Sequence, residues 1–127
     1  MTRRAEPTGA DLLVVARSCY GWLLACAPRR MIRLGTPQPA GAGAVTMTRV
    51  LGARHLLQAL VTATAPSAGL SPDAVLAAGA AVDAVHAGSM IVVAVTCRPL
   101  RRVALADAAL EASLGAFGII TARRPQN

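Results

Sequence analysis

A chain of 127 residues is long enough for one domain and short for two, so we read a single unit. Hydrophobic residues make up 54% and charged residues 15%, with a mean hydropathy of +0.50, where a soluble domain has about 45–50% and about 25%; the excess points to a membrane. The net charge of +7 is carried by arginine alone, and one Trp, one Tyr and one Phe supply no basic-aromatic platform for stacking bases, which argues against a nucleic-acid module.

Residues 1–10, MTRRAEPTGA, are polar and read as a loosely ordered start. Arg3 and Arg4 before an apolar run have the form of a signal peptide, with Ala25-Cys26-Ala27 as its cleavage triplet. Arg17 inside that run and Pro28 directly after the triplet argue instead for a retained helix. It is predicted over about 11–27, with Asp11 at its N-terminal cap and Pro28 as its stop. At 1.5 Å per residue it reaches about 25 Å, a little less than a bilayer core of about 30 Å.

Residues 28–47 combine Arg29, Arg30 and Arg33 with a Pro/Gly run and read as one flexible loop, holding at most a short amphipathic turn at Met31, Ile32 and Leu34. A second helix is predicted over about 48–65. It carries Arg49, Arg54, His55 and Gln58, and inserts poorly alone because one central arginine costs about 2.5–3.5 kcal/mol.

The turn Pro66-Ser67-Ala68-Gly69-Leu70-Ser71-Pro72 leads to Asp73, placed to cap a third helix over 74–96. That helix is the clearest membrane span, about 34 Å long, with Asp83 and His86 on one face near its middle. A basic connector, Cys97-Arg98-Pro99-Leu100-Arg101-Arg102, joins it to a fourth helix over 102–122, where Asp107 and Glu111 stack four residues apart. Ala104, Ala108, Ala112 and Ala116 form a small-residue ladder on this helix, and Ala80, Ala84 and Gly88 a shorter one on the third; both suit close helix packing. Cys19, Cys26 and Cys97 lack CxxC or metal-ligand spacing and read as buried, reduced thiols.

The fold expected is all-α, an up-down-up-down four-helix transmembrane bundle. The loops after the first and third helices hold Arg29, Arg30, Arg33, Arg49, Arg98, Arg101 and Arg102, and the termini hold Arg3, Arg4, Arg123 and Arg124. The bias puts both termini outside a plasma membrane crossed several times.

Charges facing hydrocarbon are costly, so Arg17, Arg54, His55, Gln58, Asp83, His86, Asp107 and Glu111 are expected to turn inward as one buried polar network. Depths counted along the predicted helices pair Arg54 with Asp107, and bring Arg17 to Glu111 or Asp83 with His86 and Gln58 as hydrogen-bond partners. Two arginines face three carboxylates, so a histidine is protonated or one acid is neutral.

The runs Arg49-Val50-Leu51-Gly52-Ala53-Arg54-His55-Leu56-Leu57-Gln58-Ala59, Ala81-Val82-Asp83-Ala84-Val85-His86-Ala87 and Ala106-Asp107-Ala108-Ala109 resemble small uncharacterised actinobacterial membrane proteins of four predicted helices. The resemblance spans the C-terminal two-thirds and implies a membrane location without an activity. No catalytic, cofactor or metal signature is present: a di-metal bundle site wants four carboxylates and two histidines from all four helices, and here the first two helices supply arginine. The expectation is a non-enzymatic accessory or interaction subunit in the lipid bilayer, with a membrane-protein partner or a second copy of itself. The alternative is a proton-linked transporter or channel-like element using the buried polar residues.

Overall fold

In a computed structural model, residues 7–37 and 39–123 are described. They form five α-helices and no strand: α1 (Gly9–Cys26), α2 (Pro28–Gly35), α3 (Ala42–Thr64), α4 (Pro72–Thr96) and α5 (Arg101–Ala122), with a 3-10 turn, Arg98–Leu100, leading into α5. The polar start at 1–6 and the Arg124-Pro125 end lie outside the described residues.

Two of the caps differ from the expected ones. Thr8 caps α1: its hydroxyl accepts from the Asp11 amide and Asp11 Oδ2 accepts from the Thr8 amide at 2.9 Å, so Asp11 is the third residue of a reciprocal capping box. For α4 the cap is Ser71, whose hydroxyl accepts from the Ala74 amide, while Pro72 occupies the first turn and Asp73 follows as its favourable negative charge.

The long loop expected at 28–47 shrinks to residues 36–41. Pro28 starts a helix as readily as it stops one, because its missing N–H falls where the first turn has no partner to offer, so α1 ends and α2 begins across Ala27 alone. Gly41 sits extended ahead of α3, and nothing between it and Thr64 interrupts the helix, which begins six residues earlier than its polar pattern suggested.

α1 packs most closely on α3, and α4 on α5; the pairs then meet along α1 with α5 and α3 with α4. Gly21 on α1 faces Gly52 and Leu56 on α3, Gly115 on α5 faces Ala80 and Asp83 on α4, and Gly118 faces Leu76. These registers make both pairs antiparallel.

The residues that meet in the middle recur with alternating spacings of four and three: Leu76, Ala80, Asp83, Ala87 on α4, and Ala104, Ala108, Glu111, Gly115, Gly118 on α5. The expected ladders at strict fourth positions therefore continue only in part. Ala112, Ala116, Ala84 and Gly88 are exposed, because four residues advance a helix by about 400°, so a row of fourths rotates off the contact. A three-and-four alternation keeps facing the partner.

Candidate functional site: a buried ion network

Polarity inside and outside this molecule is reversed relative to a water-soluble fold. Among the described residues, four of the five largest fully buried side chains are Arg17, His55, Glu111 and Asp83; the fifth is Leu13. The rest of the buried apolar set is mostly alanine, with Leu24, Val45 and Leu76, while twenty-one large hydrophobic side chains among the described residues are exposed, including Val85, Val92 and Val95 on α4. Burying charges while uncovering valine and leucine costs free energy in water, and lowers it in lipid.

The network spans all four long helices. Arg17 on α1 forms an ion pair with Asp83 on α4 through Nη2 and Oδ2, both side chains fully buried. Gln58 Nε2 on α3 donates to Asp83 Oδ1 at 3.1 Å and to the Gly79 carbonyl at 3.3 Å. Arg54 Nη2, also on α3, donates to Glu111 Oε2 on α5 at 2.5 Å and lies 3.6 Å from Asp83 Oδ1. His55 Nε2 lies 2.8 Å from Glu111 Oε1, and at 0% exposure the imidazole is sealed from outside. Asp83 thus meets both helices of the opposite pair, Glu111 meets α3 alone, and Arg54 bridges the two acids.

A second cluster sits nearer the end that carries α2. His86 Nε2 on α4 donates to Asp107 Oδ2 on α5 at 2.8 Å, and the Tyr20 hydroxyl on α1 donates to Asp107 Oδ1 at 3.3 Å. Tyr20 also stands edge-on to the His55 ring, centroids 5.0 Å apart, which closes the layer between the two clusters. Tyr20 was absent from the expected set. Its position three residues after Arg17, on the same helix face, is the signal that identifies it.

All eight expected residues lie in these two clusters, but two expected pairings do not form: Arg54 with Asp107, and His86 with the layer of Arg17 and Asp83. Arg54 takes Glu111 and Asp83 as its carboxylate partners, and Asp107 goes to His86 and Tyr20. The reason is the earlier start of α3. Counted from Ala42, Arg54 lies about 18 Å along its helix, level with Glu111 at about 15 Å and Asp83 at about 20 Å, while Asp107 is only about 9 Å from the start of α5. Arg17 chooses Asp83 from the two acids open to it. Cys19 and Cys26 are exposed and not buried as expected, and Cys97 is half-buried; all three are free thiols.

His86, Asp107 and Glu111 each bring one ligand atom within 4.8 Å of the others. Glu111 is already held by the Arg54 guanidinium, so a cation here would face a fixed positive charge at close range. Below Arg17 the polar layer stops: Leu13, Leu76 and Gly118 meet across the bundle and form an apolar floor.

These features define a class: an all-helical protein with an ionic core and an apolar exterior, three of whose helical segments, Gly9–Cys26, Pro72–Thr96 and Arg98–Ala122, are long and apolar enough to cross a membrane. No protein-family model, curated protein or solved structure matches the chain.

Proposed function

We propose that the chain is a small integral membrane protein of the plasma membrane, its four long helices running up and down through the bilayer, and that it acts as a non-enzymatic accessory or interaction subunit. The observation that carries the reading is the reversed polarity: charges in the centre, uncovered aliphatic side chains outside. α3 is the least apolar long helix, and its Arg54, His55 and Gln58 all turn onto α4 and α5, which removes the cost of placing it in lipid. The exposed small residues Ala84, Gly88, Ala112 and Ala116 support the interaction role, because a partner helix approaches most closely over such positions.

In this reading the ion network is a structural clamp that fixes helix register. Alkaline carbonate extraction tests the membrane assignment: the protein stays in the membrane pellet and is released by detergent, and recovery in the carbonate supernatant would overturn it. Purification of the native complex tests the accessory role, since a stoichiometric membrane-protein partner or homo-oligomer is expected.

One observation favours the proton-linked alternative: the titratable groups run without a break from His86 and Asp107, 23% and 15% exposed, to sealed Glu111. The apolar floor at Leu13 and Leu76 opposes it, because it separates the core's titratable groups from the other end of the bundle. A pH gradient across proteoliposomes that decays no faster with the protein than without it removes this reading.

A further inference from the structure

We infer that the α1–α2 corner holds a binding site for the phosphate of an anionic phospholipid headgroup, an inference that rests on the membrane reading above. Where α1 ends and α2 turns away beside α3, an open hollow of about 250 Å³ is lined by Cys26, Ala27, Pro28, Val45 and four arginines, Arg29, Arg30, Arg33 and Arg49. None of these arginines pairs with a carboxylate among the described residues. The contrast with Arg17 and Arg54, which both found acids in the interior, is physical: the other acids among the described residues, Asp11 and Asp73, sit in the first turns of α1 and α4, at the opposite end of the bundle. Four guanidiniums crowded around one hollow repel each other unless an outside anion enters.

Three features say what kind of anion this is. First, Arg49 lies seven residues into α3, about 10 Å along the helix from its start, yet is exposed. In a bilayer such an arginine must reach back toward the headgroups with its stem along apolar surface, and the hollow is where it arrives. Second, Trp22, the only tryptophan, is 60% exposed one turn before Cys26, the depth at which interfacial aromatics sit at this same end. Third, the hollow has an apolar wall of Val45, Pro28 and Ala27 under its cationic rim, so a ligand that is anionic at one end and apolar at the other meets a matching surface. A phospholipid with a net negative headgroup satisfies all three, and a basic recess beside membrane helices is a setting in which such headgroups bind.

Native mass spectrometry of the full chain in neutral detergent, titrated with phosphatidylglycerol or phosphatidylcholine, tests the site. Phosphatidylglycerol is expected to be retained roughly tenfold more tightly than phosphatidylcholine, and the Arg33→Ala/Arg49→Ala variant is expected to lose that preference. Arg98→Ala/Arg101→Ala removes the same charge at the same end but outside the hollow, and is expected to keep it. These side chains are exposed, and circular dichroism confirms that the variants stay helical. Equal retention of the two lipids overturns the proposal, as does an equal loss of preference in both double variants, which would mean diffuse surface charge. Loss of phosphatidylglycerol to a comparable concentration of inorganic phosphate also overturns it, in favour of a site for free phosphate. Failure of the membrane reading is a separate result, seen as release of the protein by carbonate before any lipid is added.

Discussion

The two helix pairs of this bundle carry opposite charge. The α1–α3 pair brings Arg17, Arg54 and His55 to the centre and no carboxylate; the α4–α5 pair brings Asp83, Asp107 and Glu111 with His86. Packing differs in kind as well. Within α1–α3 the backbones touch: a Cβ on Gly52 would meet the Gly21 carbonyl oxygen at 2.7 Å and the Ala25 amide nitrogen at 2.8 Å, and one on Gly21 would meet the Gly52 carbonyl oxygen at 2.8 Å. Between the pairs, long charged side chains do the joining. Each pair is therefore assembled from neighbours in sequence by shape, and the two halves are matched by charge, since neither half can neutralise its own buried groups.

The strongest way to break that division is to remove one charge from the joint. Asp83→Leu leaves the Arg17 guanidinium buried and unpaired, for an expected loss of about 3 kcal/mol or more. Arg17→Met leaves Asp83 with Gln58 and a distant Arg54, and is expected to cost less. The double variant is expected to recover most of the loss, because an apolar pair of similar volume needs no counter-charge. Unfolding in mixed detergent micelles reads all three. If the double variant is as unstable as Asp83→Leu, the charges are not matched across the joint.

A smaller effect sharpens the contrast within the halves. Gly52→Ala drives a methyl group into α1 backbone, which cannot yield without moving the helix, and an expected cost of about 1–3 kcal/mol follows. Gly118→Ala in the other half meets the Leu76 carbonyl oxygen at 3.5 Å, an ordinary contact, and is expected to be nearly neutral. Equal effects in the same unfolding assay would mean that α1–α3 is no more tightly apposed than α4–α5.

The number of long helices and the charged side chains that gather inside are legible in the sequence, because both follow from coarse patterns: apolar runs between Pro/Gly breaks, and charges stranded inside them; Tyr20, which carries no charge, is not. Partner choice inside the network is not legible there. It depends on depth, and depth depends on where each helix begins; misplacing the start of α3 by six residues moves Arg54 by about 9 Å, enough to exchange Glu111 for Asp107. The ladders fail for a related reason, since Ala112 and Ala116 satisfy a local spacing while the contact follows the period of the whole bundle. Gly21 and Gly52 are easy to pass over because a glycine inside an apolar run is silent until its partner is known.

A small loss is expected at Asp107, and it measures how far the clamp extends. This carboxylate has neutral donors or a histidine for partners, Tyr20 and His86, and it is 15% exposed where Asp83 is sealed. Asp107→Asn keeps an acceptor for Tyr20 and leaves no buried arginine without its acid, so the loss should resemble that of an ordinary hydrogen bond inside a membrane protein, about 0.6 kcal/mol and no more than about 1.7. Unfolding of Asp107→Asn beside Asp83→Leu makes the comparison. A loss at Asp107 equal to that at Asp83 would move the joint between the halves outward to His86 and Tyr20, and the central Arg17, Arg54, Asp83 and Glu111 set would then be only part of what matches them.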